Sequence, residues 1–116
     1  MPRNHRIFAL DEHRWPSGIA RSAAMFSTTP EAVTARTGVA FESGVDDLDY
    51  FRAAGVELPS GRRVLLLWYE RAPVLGLQLE IDSADDPAAA RSEAMAALDL
   101  ASDEVMWSPN DGAAAS

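Results

Sequence analysis

Cysteine is absent from the sequence, and so is lysine. Without a thiol the chain can form no disulfide, no thiolate metal site and no cysteine nucleophile. All ten basic residues are Arg, and with 21 alanines this is the composition of a GC-rich, bacterial type of genome. Long apolar runs are missing too; none approaches the ~18 residues that a membrane-spanning helix needs. No charged-then-apolar leader of the secretory kind opens the chain. The expectation is therefore a cytoplasmic protein without membrane contact. Positive charge is scarce: 18 acids face ten bases, and the net charge is −8. Such a chain repels phosphate backbones over most of its surface.

What is present suits one domain. The 116 residues are 47% hydrophobic, but removing alanine from that class leaves 34 larger apolar side chains, a thin core for this length. We read residues 1–110 as a single α+β domain, with 111–116 as a disordered tail lacking any apolar anchor. Charge is uneven. Residues 1–40 hold five Arg and three acids, whereas 41–116 hold five Arg and fifteen acids.

The elements follow from spacing. Arg6 to Leu10 reads as a short strand. Ser17 reads as the cap of a helix carrying Ile19, Ala23 and Phe26 on one face. Thr29-Pro30-Glu31 opens a second helix with a capping hydroxyl, a proline in the first turn and an acid at the positive end of the helix dipole. Gly38 closes it. Val64 to Tyr69 is six apolar residues in a row between Gly61 and Pro73, a strand buried on both faces. Leu75, Leu77, Leu79 and Ile81 alternate with Gly76, Gln78, Glu80 and Asp82, a half-buried strand. Residues 50–58 pair with the buried strand across Pro59-Ser60-Gly61, and Arg71-Ala72-Pro73 joins the next pair. Asp86 and Pro87 then start an Ala-rich helix to about Leu100, with Ala94, Met95, Leu98 and Ala101 as its core stripe. Val105 and Trp107 belong to a short closing strand. The fold predicted is a mainly antiparallel sheet, with a central three-strand meander at about 50–82 and helices packed on one face.

Residues with chemical potential are few. His5 sits in the N-terminal stretch and His13 in a charged turn, Asp11-Glu12-His13-Arg14. An acid beside His13 could orient a general base, but nearest neighbours in a turn rarely face each other. Ser17 and Ser60 lie in turns without the G-x-S-x-G context of a nucleophile. No glycine pattern matches a dinucleotide or phosphate loop. Glu42, Asp46, Asp47 and Asp49 lack the alternating oxygen ligands and terminal Glu of a calcium loop. The sequence thus names no catalytic residue, no metal ligand and no cofactor. Arg62 and Arg63 read as a solvated guard at a strand start. Trp68 reads as core, Trp107 as inward or half-buried, and Trp15 as a staple before a helix.

Two function classes remain. The first is a small acidic accessory or inhibitor of the immunity type, acting through contact with a basic protein. Glu42, Asp46, Asp47 and Asp49, on an exposed loop, would supply part of its surface. The second is a small enzyme or ligand-binding domain with a pocket between sheet and helices. Self-association enters through Leu65, Leu67 and Tyr69: a strand apolar on both faces needs two covers, and one layer of helices supplies one. Residues 29–39 also resemble the first helix and turn of a helix–turn–helix. The segment that would have to read DNA, Phe41 to Asp49, carries four acids and no base. We predict no sequence-selective DNA binding. Fluorescence anisotropy at physiological salt checks this, and a sub-micromolar, sequence-dependent affinity would contradict it.

Overall fold

The computed structural model describes residues 6–8, 15–45, 50–71 and 76–108. The chain runs β1 (Arg6–Phe8), β2 (Ala20–Phe26), α1 (Pro30–Thr37), β3 (Glu42–Val45), β4 (Tyr50–Glu57), β5 (Arg63–Tyr69), β6 (Leu77–Asp82), α2 (Pro87–Leu98), a 3-10 turn (Ser102–Glu104) and β7 (Val105–Trp107). The fold is α+β, with one antiparallel sheet in the order β1-β4-β5-β6-β2-β7. β3 also pairs with β4. It takes Tyr50 to Ala53, and β1 takes Gly55 to Glu57, so the two short strands share one edge of β4.

The meander at the centre follows from its sequence. Val56, Val64 and Ile81 form one cross-strand row, and Ala54, Leu66 and Leu79 the next. All six are buried. They join Ala24 and Phe26 of β2, Val33 of α1, and Ala90, Ala94 and Leu98 of α2 in one apolar cluster. Burial along β5 alternates strictly: Val64, Leu66 and Trp68 are buried, while Leu65, Leu67 and Tyr69 are half-buried. The strand expected to be buried on both faces is fully covered on one.

Both helices begin where predicted. Thr29 Oγ1 accepts the Ala32 N–H at 3.1 Å, and Pro30 occupies the first turn. Gly38 closes α1 at φ 79°, its N–H reaching the Thr34 carbonyl at 2.8 Å. Asp86 caps α2 through the Ala89 N–H at 3.1 Å. That helix stops at Leu98, not near Leu100, because Asp99 turns left-handed at φ 57°. Asp tolerates this conformation better than most residues. Ala101 therefore lies beyond the helix and is exposed, and Ala90 takes its place in the buried stripe.

Three expectations are corrected. The segment read as a Ser17-capped helix is strand β2. Ile19 precedes the strand and is 64% exposed, while Ala23 joins Phe26 on the buried face because the strand is bulged there, which buries Ala23 and Ala24 together. Alanine and methionine favour helix locally. The open edge of β6 overrides that preference, since Phe26 and Ala24 pair there with Leu77 and Leu79. Ser17 instead closes a turn in which the Gly18 N–H reaches the Trp15 carbonyl at 2.8 Å, with Gly18 at φ 80°. Second, Glu42 stands on a strand and not on a loop. Gly44 admits this pairing: a Cβ there would lie 2.5 Å from Phe51 Cζ on the partner strand. Within the segment required as a recognition helix, Glu42 to Val45 are thus strand, and residues 46–49 lie outside the described residues. Third, of the two positions expected for Trp107 the inward one gives way to the other: it stands on the short edge strand β7, 49% exposed. The expected tail at 111–116, and Ala72 and Pro73 of the β5–β6 connection, lie outside the described residues.

The row structure sets a ranking of stabilities. Leu66 is fully buried at the centre of the cluster, so Leu66→Ala should cost about 2–5 kcal/mol. Trp68 Nε1 is buried and has no acceptor among the described residues. Trp68→Phe removes that donor along with part of the ring and should cost less than Leu66→Ala. Urea unfolding of the two variants checks the order.

Candidate functional site

Three groups of polar or exposed side chains lie around the sheet. The first is at the closed end of the β3–β4 pair. Val45 and Tyr50 are cross-strand partners, and residues 46–49 join them. Both are exposed, Val45 by 67% and Tyr50 by 55%, although both are large and apolar or aromatic. The Arg71 guanidinium lies over the Tyr50 ring, 5.7 Å from its centroid. The Tyr50 carbonyl accepts the Glu70 N–H at 3.0 Å. Two residues along, Arg52 ties this corner to the rest of the molecule. Its Nε donates to Glu70 at 2.9 Å and its Nη1 to Glu31 of α1. The hydrogen bond from Arg52 holds the Glu31 carboxyl below its ordinary value. Glu42 lies on the same strand pair, exposed and opposite Ala53. Asp46, Asp47 and Asp49 lie outside the described residues, but the chain places them between Val45 and Tyr50. In the chain, three of the predicted acids thus fall between an exposed valine and an exposed tyrosine.

The second group is at the opposite end of β4 and β5. Gly61, at φ 92°, forms the turn between them. The Glu93 carboxylate of α2 accepts the Ser60 N–H at 2.7 Å, the Ser60 hydroxyl at 2.6 Å and Arg62 Nη1 at 2.9 Å. Burial pushes the Glu93 carboxyl up, but these donors outweigh it and hold it below its ordinary value. Arg63 pairs with Glu57 at 3.3 Å, directly across the strands. Asp82 is buried and accepts the Ser17 and Ala84 N–H groups, each at 2.8 Å. Between these groups lies a cleft of about 510 Å³, lined by Pro16, Gly61, Arg62, Arg63, Asp82 and Asp85. It sits at the end of the sheet, beside the turns. Arg62 and Arg63, read as a solvated guard, are half-buried ion-pair partners here. The cleft's arginines are paired with Glu57, Glu93 and Asp85, Asp82 takes backbone N–H groups, Ser17 Oγ pairs with Ser83 Oγ at 2.9 Å, and no histidine is among the described residues lining the cleft. His5 and His13 lie outside the described residues.

The third group is on β7 and its neighbour β2. Met25 pairs with Trp107 and Phe26 with Val105, so Met106 is an extra residue between two pairs. Its sulfur and that of Met25 both approach Gly76. Glu104, just before β7, clamps this edge to α1. Its carboxylate takes Arg36 Nη1 and Nη2, each at 2.9 Å, and the Ala101 N–H at 3.0 Å. Its carbonyl accepts the Ser27 N–H at 2.7 Å.

The structure separates Trp68 and Trp107: β6 and β2 stand between their strands. Among the described residues no three His, Asp or Glu side chains gather in a metal-binding group. No described helix is long and apolar enough to cross a membrane. No family model, no curated protein and no solved structure matches the chain. Sequence reasoning missed the Val45–Tyr50 pair and the meeting of Met25 with Met106. The first had a signal, two large residues flanking Asp46-Asp47-Leu48-Asp49. The second had none, since its parts are far apart in the chain.

The Glu104 clamp generates a pH prediction. The Arg36 hydrogen bonds hold the Glu104 carboxyl below its ordinary 4.5. A depressed carboxyl stabilises the fold above its unfolded value and loses that contribution as pH falls from about 4.5 through the lower folded value. The pair is bidentate but partly exposed, so solvent and salt screening keep its contribution small. Glu104→Gln should weaken hydrogen-exchange protection of the Ala101 and Ser27 amides at neutral pH. Below pH 4.5 the variant should lose less additional protection there than the wild type.

Proposed function

We propose that this chain is a small accessory or inhibitory protein that docks a basic protein partner through the β3–β4 end of its sheet. One observation carries the reading: Val45 and Tyr50, 67% and 55% exposed, are cross-strand partners flanking Asp46, Asp47 and Asp49 in the chain, with Glu42 on the other face of the same strand pair. Binding surfaces combine a small aromatic or aliphatic anchor with a polar, charged rim. A Tyr held in place by a strand pair and an Arg above its ring loses little freedom on binding. The surrounding carboxylates would steer a positively charged partner toward it. The excess of acids over Arg in residues 41–116 favours the same kind of partner. The cleft near Arg62 supports the ligand-binding alternative less well, because its arginines already face Glu57, Glu93 and Asp85.

The half-exposed row Leu65, Leu67 and Tyr69 supports a second, compatible proposal of self-association. Sedimentation at increasing concentration decides it, with Leu67→Glu as the control that should abolish any dimer.

The docking reading is tested by capture from the source cells at low and high salt, followed by kinetics on the retained protein. A single basic protein should be held at low salt and released at high salt. Tyr50→Ala should raise its dissociation constant on the order of thirtyfold, as loss of an anchor does. Neutralising Glu42, Asp46, Asp47 and Asp49 together should slow association more than it speeds dissociation. A partner bound equally well by Tyr50→Ala and by the neutralised variant would overturn the reading.

A further inference from the structure

We propose that Met25 and Met106 form a binding site for a soft monovalent cation, copper(I), with Trp107 at its side. The site is separate from the docking surface and does not depend on it. A Cβ built on Gly76 would lie 2.8 Å from Met25 Sδ and 3.0 Å from Met106 Sδ, with Met25 Cγ at 2.6 Å. Both thioether sulfurs therefore pack over the same glycine, and a Cβ there would take the room they share. Any side chain at position 76 would drive the two sulfurs aside.

The backbone is arranged to bring them there. Along β7 the pairs are Val105 with Phe26 and Trp107 with Met25, which leaves Met106 as the extra residue of a bulge. A bulge bends its strand and re-aims the inserted side chain. Regular alternation would send Met106 to the face opposite Met25. The bulge instead puts its sulfur at the same glycine. Methionines are common gap-fillers in cores, but this one fills no core: Met106 is 43% exposed and the adjacent Trp107 49%. Met106 and Trp107 stand exposed on the outermost strand, with Met25 half-buried next to them.

Their chemistry selects the ion. Thioethers are soft, neutral donors, which suit copper(I) and not the hard cations that carboxylates hold. No proton has to leave a thioether for it to bind, so the site needs no base. Trp107, the cross-strand partner of Met25, brings an exposed indole to the same stretch of edge, and an indole attracts cations. The net charge of −8 raises the local concentration of any cation.

The experiment titrates silver(I), a redox-stable stand-in, and copper(I) kept reduced without oxygen, into the whole protein. Calorimetry and tryptophan emission are read together. A single equivalent should bind and quench part of the emission. Met25→Leu and Met106→Leu conserve volume and should fold. Each should weaken binding at least as much as loss of an outer-shell partner does, about 10–100-fold. Gly76→Ala keeps both thioethers yet should weaken binding, because it displaces them. Trp107→Phe should abolish the quench while calorimetric binding persists. Met95→Leu, distant on α2, should change nothing, and zinc should not compete. Absence of binding by the wild type, or silver binding undiminished in the Met25→Leu, Met106→Leu double variant, would overturn the proposal.

Discussion

The rows Val56–Val64–Ile81 and Ala54–Leu66–Leu79 tie the molecule together, because both edges of the sheet and both helices are organised around them. Antiparallel pairing gives β4, β5 and β6 their backbone partners. Alternation gives them one face on which every second residue is buried. Slipping any of the three by one residue would turn Leu66 and Leu79 outward and bring Leu67 and Gln78 in. The apolar area at stake is large compared with any one ion pair on the surface. Register is thereby set by the hydrophobic face and leaves the turns free to do other things.

A sheet grown outward from that centre must deal with its edges. One edge of β4 is divided between β1 and β3, neither long enough to cover it alone. The other edge ends in β7, three residues long and bulged. Ionic contacts then hold these short pieces in place: Arg52 between Glu31 and Glu70 on one side, Arg36 on Glu104 at the other. Each pair is modest in energy. Together they anchor the two edges to α1, and each edge carries exposed side chains that the core has no use for.

Function follows from this division of labour. The centre of the sheet is occupied with folding, and its polar ends are occupied with one another, as the Ser60–Glu93–Arg62 contacts show. What remains available lies at the edges. Val45 and Tyr50 stand out beside an acidic segment, and Met106 is turned by a bulge toward Met25. One group offers contact area with charge around it, the other two soft donor atoms. Neither has the base, nucleophile and orienting residue that acyl-transfer chemistry would require.

The sequence by itself determined the elements whose signals are local. Both helix starts were legible from Thr29-Pro30 and Asp86-Pro87, because a cap acts within four residues. The meander was legible because Leu77, Leu79 and Ile81 alternate and Val64 to Tyr69 form an unbroken apolar run. The acidic character of the β3–β4 end was equally plain from composition. Tertiary structure alone decided the rest. Ala20 to Phe26 is a strand because β6 has an edge to fill, a demand arising some fifty residues further along the chain. Glu42 sits on a strand because β4 needs a neighbour and Gly44 makes room for Phe51. Met25, Gly76 and Met106 meet because β2 stands between β6 and β7. Spacing within a segment reports the period of its own backbone. It carries no record of which distant strand will be hydrogen-bonded beside it, and that is where both exposed groups of this protein are made.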